Sequence, residues 1–274
     1  MTSTFRSWRL FTVLAFGYAF LYGPIFLLVI YSFNESKLVT VWSGFSVKWY
    51  GELLHNEKLL EAAWLSLKIA FVSATLATIF GTMAALVLDR FGRFRGRTLL
   101  SGMIAAPLVM PEVITGLAML LLFVALETMI GWPDGRGQTT ITIAHVTFSM
   151  AFVAIVVQSR LRHMDRSLEE AAQDLGARPL KVFFVITLPI IAPSLVAGWL
   201  LGFTLSLDDL VIASFVSGPG STTLPMVVFS SVRLGVSPQI NALATVIIVT
   251  VAVIITLAGR LMTLKDDGRK PKRS

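Results

Sequence analysis

Long apolar runs, separated by short charged segments, recur along the whole chain. Six runs carry few or no charged residues: 10–34, 69–88, 98–126, 137–159, 182–207 and 234–259. A helix that spans the hydrocarbon core of a bilayer needs about 20 mostly apolar residues. The runs are too long and too unpatterned for barrel strands, and a backbone in lipid must satisfy its own hydrogen bonds. The pattern therefore predicts an all-α membrane protein with six transmembrane helices.

The predicted spans occupy about residues 10–32, 66–88, 99–126, 138–158, 190–216 and 240–263. A polar loop at 159–189 separates the fourth span from the fifth, and we expect residues 1–274 to form a single transmembrane domain. The first span follows Arg6 and Arg9 and lacks a small-residue cleavage site. We therefore interpret it as an uncleaved anchor and not as a signal peptide.

Composition supports this class and excludes others. Hydrophobic residues make up 55% of the chain and charged residues 14%, and the mean hydropathy is +0.78. The net charge of +7 comes mainly from loops, which argues against a nucleic-acid surface. The absence of cysteine excludes disulfides and thiolate metal sites.

The distribution of basic residues predicts the orientation. Lys and Arg concentrate in the segments 6–9, 90–97, 160–181 and 260–273, and they are sparse in the intervening loops. Because basic loops stay in the cytoplasm, both termini and the 159–189 loop are expected there. In the first outer loop, Trp42, Trp49 and Tyr50 indicate a lipid interface.

The polar loop between the fourth and fifth spans has its own helix signals. Ser167 and Glu170 have the S-x-x-E spacing of a capping box, which predicts a short helix from about Leu168. Gly176 suits the left-handed residue that ends a helix, and Pro179 suits the first turn of the next one. The sequence thus predicts two short helices joined by a bend. We expect Pro189 and Pro193 to mark the junction of the second helix with the fifth span.

The first of these short helices carries a small apolar face. Its residues lie at helical spacing and are Leu168, Ala171, Ala172 and Leu175. Two interpretations stay open on this pattern alone: the face packs under the helix bundle, or it is a docking surface for another protein.

The run E-A-A-x-x-x-G, followed by nine residues and then I-x-L-P, resembles the EAA signature of permease subunits in ABC importers. The matching residues are Glu170, Ala171, Ala172, Gly176, Ile186, Leu188 and Pro189. The resemblance implies a type I ABC importer permease fold. It also implies that this loop docks into a groove on a cytoplasmic ATPase subunit.

Further segments extend the resemblance over nearly the whole chain. The segments YSFN (31–34), APLVMPEVITG (106–116), GFTLSLDDLVIASFVSGPG (202–220) and NALAT (241–245) are similar to polyamine permeases, most closely to the putrescine type. The resemblance implies import of putrescine, spermidine or both across a bacterial inner membrane. Implied partners are a second permease subunit in a heterodimer, two ATPase subunits that bind ATP and Mg, and a periplasmic polyamine-binding protein. No cofactor is expected in this chain.

Three acidic residues at membrane depth agree with a polycationic cargo. They are Glu112, Asp208 and Asp209. A polyamine needs carboxylates to offset its desolvation and apolar walls for its methylene segments. An ionisable side chain inside a span costs about 2.5–3.5 kcal/mol on insertion scales, so each acid is a candidate for the substrate pathway. The candidate aromatic walls are Trp199, Phe203 and Phe215.

Each of these candidates has a structural alternative. Glu112 pairs with Lys68 of the second span in one interpretation, which would satisfy both charges without substrate. Asp208 or Asp209 caps a helix break in another. The aromatic residues then face lipid or neighbouring helices.

The sequence carries no sign of an enzyme. It has no P-loop for ATP, no nucleophile elbow, and no metal motif around His145 or His163, which we interpret as structural or solvent-facing. Two rival functions remain: an ABC permease for an amino acid, sugar or anion, and an ion-coupled secondary transporter acting alone. An anion route would favour basic residues at membrane depth, where only Lys68 stands beside three acids.

Overall fold

The computed structural model describes residues 2–38, 41–234 and 237–267. Regular structure in these residues is helical, and the one β feature is an isolated antiparallel bridge between Asn34 and Phe45. The helices are α1 (Thr2–Tyr31), α2 (Lys48–Leu54), α3 (Glu57–Arg90), α4 (Arg97–Val109), α5 (Glu112–Ile130), α6 (Gln138–Arg162), α7 (Ser167–Asp174), α8 (Pro179–Val182), a π-helical segment (Phe183–Thr187), α9 (Leu188–Leu207), α10 (Val211–Val216), α11 (Leu224–Leu234) and α12 (Pro238–Asp267). The prediction of an all-α protein is confirmed for the described residues. The basic tail at 268–274 lies outside them.

Five helical stretches of the described residues are long and apolar enough to cross a membrane. They are Leu10–Tyr31 within α1, all of α3, α5 and α6, and the continuous stretch Pro179–Leu207. The sixth predicted span, 240–263, falls within α12, where Pro238–Val253 is a shorter apolar helix.

Two predicted spans are interrupted. Within 99–126, α4 ends at Val109 and α5 begins at Glu112, because Met110 is extended before Pro111 and Pro111 has no N–H to continue the helix. Within 190–216, α9 ends at Leu207 and α10 begins at Val211. The continuous helices expected over these ranges are therefore each two helices.

The chain divides into two compact units, of which the first comprises Met1–Leu60 and Val228–Ser274. In this unit α12 packs against α1 and α2. The loop after α1 is organised by Asn34, whose Nδ2 donates to the Val41 carbonyl at 2.7 Å and whose Oδ1 accepts the N–H of Ser43 at 3.0 Å. The Asn34 carbonyl accepts the indole N–H of Trp49, which is buried. The predicted interfacial role of Trp49 is therefore wrong, whereas Trp42 is exposed.

The second unit, Glu61–Val227, is built around α6. Of the five membrane-length stretches, α6 has the largest buried share. One face of α6 packs against α3, α5 and α10 through Ile69, Phe123, Phe148 and Ile212. Further along α6, a second cluster joins it to α3 and α9. These contacts hold both halves of the interrupted fifth span, α9 and α10, against one central helix.

Gly81 marks a close approach between α3 and α6. A methyl group on Gly81 would lie 2.9 Å from the carbonyl oxygen of Met150 and 3.0 Å from Val153 Cβ. Small residues at helix contacts in membranes allow this spacing, and backbone atoms cannot rotate away from a methyl group. We expect Gly81→Ala to lower the free energy of unfolding by about 1–3 kcal/mol through overpacking.

A matched control for this prediction is Gly102→Ala in α4. No atom lies within 4 Å of a methyl group built on Gly102. Replacing a helical glycine then stabilises by about 0.5–1 kcal/mol, so thermal unfolding in detergent should move in opposite directions for the two variants. Equal shifts of the same sign would contradict the close approach at Gly81.

Candidate functional site

Within the 159–189 range α6 ends at Arg162 and α7 starts at Ser167, close to the predicted position. The residue at the N-cap position is Arg166, which makes no capping hydrogen bond, so the capping box predicted from Ser167 and Glu170 is wrong. Instead, Asp165 Oδ1 accepts the N–H of Ser167 at 3.0 Å. The hydrogen bond from this backbone N–H, joined by one from the Ser167 side chain, holds the pKa of Asp165 below its ordinary value. An ionised carboxylate here complements the positive end of the helix dipole.

Gly176 ends α7 as predicted, with φ at +84°. The N–H of Gly176 donates to the Gln173 carbonyl at 2.8 Å, and the N–H of Ala177 donates to the Ala172 carbonyl at 3.0 Å. Together these two bonds form a Schellman motif. No atom lies within 4 Å of a Cβ built on Gly176. Glycine is therefore required here by backbone conformation and not by lack of space.

The second half of the loop is continuous with the fifth span. Pro179 begins α8 in the first helical turn, as predicted. From there α8, the π-helical segment and α9 form one helical stretch as far as Leu207. Pro189 is the second residue of α9, where the π-helical segment passes into that helix, whereas Pro193 lies inside α9. The π-helical segment Phe183–Thr187 ends two residues before Pro189, which removes a main-chain donor.

The apolar face of α7 is exposed to solvent. None of the α7 residues is buried, and Leu168 and Leu175 are 49% and 89% exposed. On the next helical stretch Leu180 and Phe184 are also exposed. The alternative in which this face packs under the bundle is therefore wrong for these side chains. A surface of several uncovered apolar residues typically marks a binding interface.

The residues of the EAA-like run have mixed exposure. Three members are half-buried, and the other members are exposed. The half-buried members are Ala172, Ile186 and Leu188; the exposed members are Glu170, Ala171, Gly176 and Pro189.

Sequence reasoning missed the residue that ties α7 to the spans. Glu169, next to the motif, forms an ion pair with Arg90 at the end of α3, with Arg90 Nε 3.1 Å from Glu169 Oε2. The hydroxyl of Thr187 donates to Glu169 Oε1 at 2.6 Å. Two features of the sequence could have indicated this role: the two adjacent acidic residues at 169–170 and the basic segment 90–97.

The two adjacent acids Asp208 and Asp209 lie at the break between α9 and α10 and point to different environments. Asp208 is exposed and follows the last turn of α9. Asp208 continues a row of exposed residues at every fourth position of α9, here called the outward stripe of α9. The other members are Val196, Leu200 and Thr204. Asp209 is buried. Of the pair, only Asp208 has a carboxylate accessible from this face.

Asp209 belongs to a buried polar cluster with His145 and Ser206. One ring nitrogen of His145, Nε2, lies 3.1 Å from Asp209 Oδ2, and the other, Nδ1, lies 2.7 Å from Ser206 Oγ. The carboxylate also accepts the N–H of Ile212 at 3.3 Å and of Ala213 at 2.7 Å, in the first turn of α10. Asp209 thus has the helix-capping arrangement that was the alternative to a pathway role.

Glu112 and Lys68 do not form the ion pair that the alternative interpretation required. Both side chains are exposed, and the ion pairs between residues that the structure describes do not include them. Glu112 is the first residue of α5, where its charge complements the helix dipole.

Two of the three candidate aromatic residues line one cleft. An open apolar cleft of about 450 Å³ lies between α3 and α9. Its lining comprises Trp64, Leu67, Lys68, Phe71, Val72, Trp199 and Phe203. Trp199 stacks on Phe203 with the ring centres 5.2 Å apart, and its indole N–H donates to Thr75 Oγ1 at 3.1 Å.

Phe215 is not part of this cleft and contributes to helix packing. Its ring contacts α5, because a methyl group on Gly116 would lie 2.7 Å from Phe215 Cδ2. His145 is structural, as expected, and His163 is exposed. Within the described part of the chain, no group of three or more His, Cys, Asp or Glu side chains is placed to hold a metal ion.

Comparison with known proteins agrees with this geometry. The putrescine transport system permease protein PotI of Escherichia coli K12 is 63% identical over 262 residues, which cover 96% of this chain and 93% of that protein. The spermidine/putrescine transport system permease protein PotC of the same strain is 41% identical over 245 residues, covering 89% and 90%. Both relatives are named as permease proteins of transport systems.

Two solved ABC transporters contain chains with a similar fold. A bacterial ABC transporter that imports the acidic polysaccharide alginate has a chain with a TM-score of 0.71 at 18% identity, covering 96% of this chain and 98% of that one. The MetNI methionine ABC transporter gives 0.59 at 18% identity, covering 74% and 94%. These likenesses show the type I ABC permease fold. The sequence model of one family, described as binding-protein-dependent transport system inner membrane component, matches residues 77–270. This match agrees with the membrane-length helices and with the exposed loop after α6. The chain therefore belongs to that family of inner membrane components.

Proposed function

We propose that this chain is the membrane-spanning subunit of an ATP-driven importer that moves a polyamine, putrescine or spermidine or both, from periplasm to cytoplasm. The observation that carries the proposal is the 63% identity to PotI over 96% of this chain. The second relative, PotC, is named for both polyamines, which is why spermidine stays within the proposal. Both termini and the 159–189 loop would lie in the cytoplasm, in agreement with the basic residues.

The energy for import would come from a pair of separate ATPase subunits that bind ATP and Mg. They would dock on the exposed apolar surface of α7 and α8, through Leu168, Leu175 and Leu180. The motif residues that would carry the docking and its transmission are Glu170, Ala171, Ala172, Gly176, Ile186, Leu188 and Pro189. ATP-driven closure below the membrane would then switch the pathway between its two faces.

The remaining partners complete the pathway. A second permease subunit would cover the outward stripe of α9 and form the other half of a heterodimeric channel, and a periplasmic binding protein would deliver the polyamine. Asp208 is the acid best placed to meet the cation, since its carboxylate is exposed on that stripe. Trp199 and Phe203 offer a neighbouring apolar wall. Glu112, exposed at the start of α5, remains a second pathway candidate.

Uptake of labelled putrescine and spermidine by cells with and without this chain tests the proposal. Unlabelled diamines, triamines and amino acids serve as competitors. We expect uptake to require the chain and to be reduced only by polyamines. Competition by amino acids alone would contradict the polyamine assignment, and uptake by proteoliposomes containing only this chain would contradict the ATP-driven complex.

Asp208→Asn tests the proposed pathway acid. Loss of one charged partner should lower the polyamine uptake rate at low concentration about tenfold, as for a lost hydrogen bond to a charged group. Asp134→Asn makes the same chemical change at an exposed turn before α6 and should leave uptake unchanged. Equal uptake by the two variants, at equal amounts in the membrane, would contradict a pathway role for Asp208.

A further inference from the structure

Glu169 connects α7 to the ends of two membrane spans. On one side Arg90, the last residue of α3, approaches both of its carboxylate oxygens, with Nη2 donating to Oε1 at 3.2 Å and Nε 3.1 Å from Oε2. On the other side Thr187 donates to Oε1 at 2.6 Å from the last position of the π-helical segment. One carboxylate thus contacts the end of α3 and the π-helical segment that precedes α9.

A second layer of charges holds the arginine. Asp89 Oδ2 accepts a hydrogen bond from Arg90 Nη1 at 2.8 Å, and Arg166 Nη2 lies 3.3 Å from the same oxygen. Arg166 also donates to the Asp89 carbonyl at 3.0 Å. The loop before α7 and the end of α3 are therefore joined at two points.

These groups are largely shielded from water. The side chains of Glu169, Arg90 and Asp89 are 14%, 18% and 6% exposed. A shielded pair whose partners also make other hydrogen bonds has a defined geometry, whereas an exposed pair between flexible side chains contributes little. Glu170, one residue further along α7 and turned by about 100°, is exposed. The neighbouring acids thus differ in role: one faces outward with the docking surface, and the other faces the spans.

We infer that Glu169 is a positioning residue that clamps α7 to α3 and to the start of α9, so that a displacement of α7 moves both spans together. This inference rests on the proposed coupling function. An ATPase docked on the exposed surface of α7 would contact its outward side, and α7 has no buried residue of its own that could transmit force. The clamp of Glu169, Arg90 and Thr187 supplies the rigid contact that such transmission needs.

The π-helical segment gives the second arm of the clamp its position. Thr187 lies two residues before Pro189, where the helix lacks a main-chain donor and the hydrogen-bond ladder is irregular. The Thr187 hydroxyl fastens this irregular turn to α7. Tension on α7 would therefore act at the turn where the stretch Pro179–Leu207 is most easily bent.

Glu169→Gln in the full transporter complex tests the inference with two readouts. We expect polyamine uptake per ATP hydrolysed to fall about tenfold, a magnitude typical of altered coupling between sites, while the complex still assembles. Because the chain has no cysteine, spin labels can be placed at Gln173→Cys and Phe91→Cys, on exposed positions of α7 and just beyond α3. The distance distribution between them should be narrow in the parent and clearly broader in Glu169→Gln.

Further variants separate a clamp from general destabilisation. Arg90→Gln should reproduce both effects, and the double variant should be no worse than either single variant, because both remove the same contact. Thr187→Ser keeps the hydroxyl and should resemble the parent, whereas Thr187→Val should not. Glu127→Gln makes the same chemical change at an exposed position of α5 and serves as the control.

Either readout alone can overturn the inference. Unchanged uptake per ATP in Glu169→Gln, or an unchanged distance distribution, would show that the clamp does not position α7 for coupling. The outcome is distinct from that for the proposed polyamine cargo, which fails if the parent complex does not import putrescine or spermidine. In that case the distance measurement still tests the clamp.

Discussion

Replacing Asp209 by alanine is expected to lower the free energy of unfolding by about 3–5 kcal/mol, as when one partner of a buried polar pair is removed. The substitution leaves His145 without its carboxylate partner. Water does not replace this carboxylate, because both side chains are buried. It also leaves the N–H groups of Ile212 and Ala213 unpaired at the start of α10. Each unsatisfied buried donor adds to the cost, and in lipid water cannot compensate.

The neighbouring acid provides the matched control. Asp208→Ala removes the same carboxylate one residue away, but Asp208 is exposed and its side chain caps no helix. We expect it to leave thermal unfolding in detergent within about 0.5 kcal/mol of the parent, as for surface substitutions, while polyamine uptake falls. Asp209→Ala should instead lower the amount of folded protein. Equal thermal stability of the two variants would contradict the structural role of the buried cluster.

The contrast between these two acids shows where sequence reasoning reaches its limit. The sequence establishes that adjacent residues on a helix are turned by about 100°, so that only one of the two acids can face the pathway. It could not say which one, because that depends on where α9 ends and on His145, which lies 64 positions away in the chain. His145 carried no motif, and its partners come from a different helix.

The helices themselves were largely predictable, because apolar runs of membrane length constrain the backbone strongly. The breaks were harder. Pro111 interrupts the third run by removing a donor, whereas Pro189 and Pro193 lie inside a helix that continues around them. The same residue type thus ends one helix and is accommodated in another, because the π-helical segment before Pro189 absorbs the irregularity. Local sequence does not distinguish the two outcomes.

In the 159–189 loop, the prediction was most accurate at residues whose type alone determines the backbone conformation. Gly176 and Pro179 behave as expected because their backbone preferences are nearly independent of tertiary context. The capping box failed because Asp165 offered the Ser167 N–H another acceptor first. Glu169 was missed because its importance comes from Arg90 and Thr187, 79 and 18 positions away.

Substitution of Gly176 should have the largest effect on transport. We expect Gly176→Val and Gly176→Asp to reduce polyamine uptake to background while the protein remains in the membrane. At φ of +84° a β-branched residue is strained, because left-handed conformations cost roughly 1–2 kcal/mol for residues with a Cβ. Relief of that strain would break the bonds from Gly176 to Gln173 and from Ala177 to Ala172, and so change the angle between α7 and α8.

Gly176→Asn separates the causes, because asparagine tolerates the left-handed region and has the shape of aspartate without its charge. If backbone angle alone matters, Asn and Asp should both retain more uptake than Val. We expect instead that Asn retains most uptake and Asp does not, since a carboxylate beside Asp174 and Glu170 places a third negative charge on the exposed docking surface. Uptake at equal membrane levels, together with co-purification of the ATPase subunits, measures this. Normal uptake by Gly176→Val would contradict the requirement for the bend, and equal uptake by Asn and Asp would contradict the electrostatic part of the docking.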